Sequence, residues 1–392
     1  MPATSPASGF VLRMLRLAVV AALLISAPAL MAAPGDGDSA ADKSVPTSVT
    51  QPVARPIRPT YTVEAGVNGE IFPAFANFAS LQRPNDRNTG TISVEISNPT
   101  ADLLRQRLIV QVPGWSDPEI QTIDVGAGET KKFLFAPSFL PRFYSNTEIA
   151  AATALVTATD MSGKLASELT VPVRLRSVDD MYWGDGFKFG RYIASWVTPH
   201  DPDVEELLAR AKEFVPGRRL PGYESWKTPV EQEQSTTEQA KAIYRALQQK
   251  GLSYVKSSIT FGARTDVSER VRMPYESLRS VSANCIDGVV MYASMFENLA
   301  MDPVIVLIPG HALVGVRLTE RSSKYLYIDT VLTGRDNFDN AVKAANDALA
   351  RYAPSQVTRI SVSDARDAGV FPMPNPAVAS NATLQAATQA QR

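Results

Sequence analysis

The chain has 392 residues, with 39 Lys and Arg against 40 Asp and Glu for a formal charge of −1, one cysteine, two histidines and 28 prolines. That length holds about two domains of ~100–200 residues plus non-globular ends, and the balanced charge gives no basic footprint for nucleic acid. A single cysteine excludes an intramolecular disulfide, a Cys-rich zinc site and an iron–sulfur cluster, so any thiol chemistry falls to Cys285.

Residues 1–33 read as a secretory signal. Arg13 and Arg16 supply the basic region, Leu17 to Ile25 the apolar one, and Ala27-Pro28-Ala29 or Leu30-Met31-Ala32 the small-residue cleavage site. The uncharged stretch from Leu17 to Ala33 is 17 residues and contains Pro28, short of the ~20 that span a bilayer, so a cleaved signal is expected over a retained anchor. No lipobox cysteine follows. The expectation is an exported protein, periplasmic or extracellular, without stable membrane insertion after cleavage. Residues 34–59 carry five prolines and no aromatic residue until the next segment, and read as a disordered linker.

From about Tyr61 to Arg176 the apolar pattern has period two. Ile92, Val94 and Ile96 alternate with Ser and Glu up to Asn98-Pro99-Thr100, and Leu108, Val110 and Val112 run to Pro113-Gly114. Gly126-Ala127-Gly128 turns into Lys132–Phe135, and Ile149–Thr159 and Leu169–Leu175 add further strands. About seven strands punctuated by turns predict a β-sandwich over 60–178, similar to the Ig-like, adhesin-type modules of exported proteins. It contains no histidine and no cysteine, and reads as a spacer or ligand-binding module.

A mixed α+β domain is expected over 179–372. Asp201-Pro202, followed by Val204, Leu207, Leu208, Ala211 and Phe214, predicts a helix stopped by Pro216-Gly217. Ser235 and Glu238 have capping-box spacing for a second helix, which Gly251 ends. Ser282-Ala283-Asn284 supply cap candidates before Cys285, after which Ile286, Val289, Val290, Ala293, Phe296 and Leu299 fall at helical spacing. Val304–Ile308, a Pro309-Gly310 turn, His311–Leu318 and Tyr325–Asp329 predict three strands, with the start of the second near the end of the third. Residues 373–392 are mostly uncharged Ala, Gln, Asn and Thr, and read as a disordered tail.

A thiol in the first turn of a helix meets unpaired backbone N–H groups and the positive end of the macrodipole. An imidazole on an adjacent strand can take its proton, a carboxylate on the next strand can hold that imidazole, and first-turn amides can receive an oxyanion. Cys285, His311 and Asp329 occur in that order with those placements, as acyl transfer requires. Asp287 reads as an ordinary first-turn helix-stabilising acid. The plain alternatives are a buried small hydrophobe for Cys285, a strand-edge residue for His311 and a turn former for Asp329.

The runs Pro274-Tyr275-Glu276-Ser277-Leu278, Asn284-Cys285-Ile286-Asp287-Gly288, Pro309-Gly310-His311-Ala312 and Ile328-Asp329-Thr330 resemble the transglutaminase-like superfamily, in particular its bacterial branch with the papain-like thiol fold. The resemblance covers roughly residues 180–372. It implies Cys285 as nucleophile, His311 as general base and acid, and Asp329 as orienting acid, with Tyr254 as the candidate side-chain oxyanion donor. Ala283-Asn284 stands where the family often has Gly, Leu313 stands where an aromatic often follows His-Ala, and the 26-residue Cys-to-His spacing is compact. No acidic cluster matches the calcium sites of animal relatives, and no cofactor or metal is expected. The resemblance implies a thiol enzyme acting on peptide or isopeptide amides, by hydrolysis or transamidation, with a protein or peptide substrate. The alternatives are an inactive version of the same fold that binds a peptide or partner, and an envelope component that uses the sandwich for adhesion.

Overall fold

The computed structural model describes residues 58–83, 87–256 and 268–375. The expected signal at 1–33, all but the last two residues of the linker, and the tail beyond 375 lie outside the described residues. No helix among the described residues is long and apolar enough to cross a membrane.

The first half is built from eight strands: β1 (Thr60–Ala65), β2 (Glu70–Ile71), β3 (Ile92–Ser97), β4 (Leu104–Gln111), β5 (Glu119–Val125), β6 (Thr130–Phe135), β7 (Ala150–Thr159) and β8 (Leu165–Leu175). β1-β3-β6 form one antiparallel sheet. β2-β8-β7-β4-β5 form the other, antiparallel except for the β2–β8 pair. Period-two alternation delivers Val94 and Ile96 of β3 and Phe135 of β6 into one apolar cluster. Leu108 and Val110 of β4, Val156 of β7 and Val173 of β8 enter the same cluster from the second sheet. Each such side chain contributes about 1.5–3 kcal/mol when fully buried.

This half is not purely strands. Helix α1 (Pro73–Leu81) follows β2 with Pro73 in its first turn, where the missing N–H costs nothing. Ala76 joins the core of the first half, whereas Ala74 and Phe78 join the core of the second. Buried on two sides, α1 has no polar face and so leaves no amphipathic signature in the sequence. Phe72 stacks on Tyr182, Phe75 meets Tyr182 edge-on, and Phe75 and Phe78 meet Tyr192 with ring centroids 4.6 and 5.3 Å apart. The described residues of both halves fall in one compact unit.

The second half begins with β9 (Asp180–Tyr182), paired antiparallel with β11 (Ser268–Arg270). Its helices are α2 (Pro202–Ala211), α3 (Pro229–Lys250), α4 (Pro274–Ser280), α5 (Cys285–Asn298), α6 (Phe338–Ala350) and α7 (Val362–Asp367). A short parallel pair joins β10 (Ser253–Tyr254) to β12 (Ser282–Ala283). An antiparallel sheet in the order β15-β14-β13-β16 uses β13 (Pro303–Ile308), β14 (His311–Arg317), β15 (Tyr325–Ile328) and β16 (Thr358–Ser361). Ile305 and Leu307 of β13 face the core shared with α5, while Val304, Val306 and Ile308 pack with Ala345 of α6. A strand covered on both faces has no polar register, which is why 304–308 is an unbroken apolar run.

Helix α2 starts where the sequence predicts, with Asp201 accepting the Asp203 N–H at 2.9 Å and Pro202 first in the helix. Helix α3 has its cap seven residues earlier than expected. Its capping box is Thr228 and Glu231, not Ser235 and Glu238, and Ser235 lies mid-helix. The added turns are polar and mostly exposed, so no apolar stripe marks them. Gly251 ends α3 as expected, at φ +88°. At the far end the chain stays packed through Asn375: the Met373 N–H donates to the Ser195 carbonyl at 2.9 Å, and Met373 is buried.

Candidate active site

Cys285 is the first residue of α5. Asn284 caps the helix by accepting the Asp287 N–H at 2.8 Å, and Asp287 returns a carboxylate oxygen to the Asn284 N–H at 3.2 Å. The second Asp287 oxygen accepts the Arg272 N–H at 2.9 Å. Asp287 is thus the buried half of a capping box, as its position in the first turn suggests. Burial raises its pKa, and these backbone bonds oppose the rise. The Gly288 N–H bonds to the Asn284 carbonyl, so the Cys285 and Ile286 N–H groups are the first-turn donors without an intrahelical acceptor.

His311 opens β14 directly after the Pro309-Gly310 turn, in which Gly310 adopts φ +74°. The β14–β15 register pairs Val314 with Ile328, which carries the start of one strand to the end of the other. His311 Nε2 and Asp329 Oδ1 meet at 3.1 Å, with side chains 24% and 12% exposed. The same Asp329 oxygen accepts the Val331 N–H at 3.3 Å, and the Asp329 N–H donates to Ala341 of α6 at 3.1 Å. The carboxylate is therefore fixed from two sides. With Nε2 turned to Asp329, Nδ1 is the ring nitrogen left for the thiol.

The His311 pKa is pushed up to about 9. Burial acts to lower it, and hydrogen bonds and charge from Asp329 and Cys285 overcome that effect. Tyr254 feels both residues as well: burial first, then negative charge at Cys285 and Asp329, holds its phenol above the usual value. Its strand β10 lies beside β12, the residues that lead into Cys285, and the side chain is 41% exposed. The three residues nominated from the sequence are therefore brought together, with Tyr254 next to them. Cys285 itself is 0% exposed.

One contact has no counterpart in the sequence reading. Thr330 Oγ1 donates to the Cys285 carbonyl at 3.4 Å, and a Cβ on Gly288 would stand 2.7 Å from that oxygen. Gly288 thus lets α5 approach the turn after Asp329. The only sequence trace of this is a glycine in a helix interior, where Ala is favoured by about 1 kcal/mol. Gly288→Ala is expected to lower stability by about 1–2 kcal/mol, because overpacking exceeds the propensity gain. A denaturant midpoint equal to or above that of the parent protein would refute this contact.

Among the described residues, no three His, Cys, Asp or Glu side chains are grouped to hold a metal ion. Fold and site together define a mixed chain of helices and several sheets in which a buried thiol, a partly buried imidazole and a buried carboxylate are neighbours. No protein-family model matches the chain, and no curated protein matches it. Among solved structures, it is similar to the crystal structure of a FixG-related protein from Vibrio parahaemolyticus at 17% identity, over 30% of this chain and 95% of that one, with a TM-score of 0.18.

Proposed function

We propose that this protein is an exported, transglutaminase-like thiol enzyme that acts on peptide or isopeptide amides, preceded by an Ig-like module. The observation that carries this reading is His311 held between Asp329 and Cys285, with the thiol at the start of α5. His311 takes the thiol proton through Nδ1, and the sulfur attacks the amide carbonyl. The oxyanion forms near the first-turn N–H groups of α5 and the Tyr254 phenol. The imidazolium then gives its proton to the leaving amine, and water or a second amine resolves the acyl-enzyme. Hydrolysis is favoured slightly, since the sequence carries no evident motif for an amine acceptor.

A second reading is an inactive member of the same fold that binds a peptide or partner. The complete burial of the thiol favours it, because substrate must displace whatever covers the sulfur. Iodoacetamide labelling at pH 6 separates the two. A free thiol of pKa about 8.5 is almost entirely protonated there and reacts slowly. An enzyme is expected to label fast at Cys285 and to slow at least tenfold in His311→Gln. Labelling seen only after denaturation overturns the enzymatic reading in favour of the binding one. Export is checked by mass spectrometry of the N-terminus of the protein recovered outside the cytoplasm.

A further inference from the structure

Beside the start of α5 lies a second feature. Tyr254 is near enough to Cys285 and Asp329 for their charge to act on its phenol, and the next residue, Val255, lines a cavity of about 340 Å³. Asn284 and Asp287, the capping pair of α5, also line it, so the cavity borders the helix start that carries Cys285. The cavity stands at the junction of the two halves. Thr147 comes from the first half, and Asp179, Arg270, Arg272, Glu276, Asn284 and Asp287 complete it.

Most of these charges are already matched. Arg270 donates to Asp179 at 2.6 Å and to the Thr147 carbonyl at 3.2 Å. Both Asp287 oxygens accept backbone N–H groups. Two groups differ. Among the described residues, the Arg272 guanidinium donates only to the carbonyl and hydroxyl of Ser282, at 3.4 and 3.2 Å. Glu276 accepts the Met273 N–H at 2.8 Å through one oxygen. Burial lifts the Glu276 pKa, and Arg272 is near enough for its charge to oppose that lift, yet the two form no ion pair. A cation and an anion thus face one cavity without touching, each with hydrogen-bonding capacity to spare.

We propose that this cavity binds a small dipolar ligand, an amino acid or dipeptide with both ends free, with Arg272 taking the carboxylate and Glu276 the ammonium. A guanidinium grips a carboxylate with paired donors, which the two Ser282 contacts do not exhaust. Opposite charges held apart favour a ligand carrying both over one carrying either. The volume suits a ligand of this size. Binding there requires no reaction at the thiol.

The test is calorimetric titration of the full chain carrying Cys285→Ala, so that turnover cannot consume the probe. The probes are L-alanyl-L-alanine, its N-acetyl derivative and its C-terminal amide. The dipeptide is expected to bind with a Kd in the millimolar range or tighter, and each blocked derivative at least tenfold more weakly. Arg272→Gln is expected to abolish the preference over the amide, and Glu276→Gln the preference over the acetylated form. Gln at 276 keeps the cap on Met273, and Arg272→Lys serves if the Gln variant fails to fold, with the preference over the amide retained. No binding at about 10 mM dipeptide, or preferences that survive both Gln substitutions, overturns the proposal. Labelling of Cys285 in the parent protein is a separate readout, so failure here leaves the enzymatic reading standing, and the reverse.

Discussion

Asp329→Ala is expected to lower turnover of a peptidyl coumarylamide by ~10²–10⁴, with Asp329→Asn falling between it and the parent protein. Two contributions of Asp329 are being separated. Its oxygen accepts from His311 Nε2 at 3.1 Å and so leaves Nδ1 for the thiol. Its charge also helps to hold the His311 pKa at about 9. Ala removes both contributions, whereas Asn can retain an acceptor and loses the charge. The leaving amine needs the imidazolium, so in the parent protein activity should fall as pH rises through about 9. With Asn that limb should move to lower pH, because the imidazolium loses its nearest anion. A descending limb that stays in place in Asp329→Asn removes Asp329 from the mechanism. Cys285→Ala sets the floor, with no turnover above background.

Much of this site is legible in the sequence because its parts are local. Asn284 is a good cap, Cys285 follows it, and the apolar spacing after Cys285 names a helix. Pro309-Gly310 marks the hairpin that places His311 at a strand start, and the next strand ends at Asp329. The features that escape a sequence reading depend on packing between distant segments. Helix α1 is invisible to a period count because both of its sides are buried. The covering of Cys285 has no local signature either, because a mainly apolar helix reads the same whether or not its first turn opens to solvent. The early start of α3 is a different kind of miss. Thr228-Pro229-Val230-Glu231 carries the full cap signal, but the turns behind it present a solvated face and no apolar stripe to confirm it.

Glu269→Gln is expected to stabilise the protein at pH 8 by about 2–4 kcal/mol and to change it little near pH 5. Glu269 lies on β11 at 2% exposure, with one oxygen accepting the Trp183 indole N–H at 3.2 Å and the other buried without a partner. Burial drives its pKa up to about 8, the Trp183 bond opposes the rise, and the nearby Asp287 charge adds to it. The unfolded chain holds this carboxyl near the ordinary glutamate value of about 4.3. Between the two values the folded state keeps a proton that the unfolded state has released, so stability falls as pH rises, by up to about 1.4 kcal/mol per unit. Below the lower value the term is fully present, and above about 8 it is fully lost. Gln resembles the protonated form, keeps an acceptor for Trp183 and cannot charge. Other carboxyls whose pKa burial raises, the buried Asp180 and Asp201 and the half-buried Glu276, tilt the profile in the same direction. The decisive quantity is therefore the difference between the two proteins, from urea midpoints at pH 5, 6.5 and 8. A difference that grows with pH assigns the loss to Glu269. A constant difference means that the carboxylate finds compensation in the folded state, and the unpartnered oxygen is then no liability.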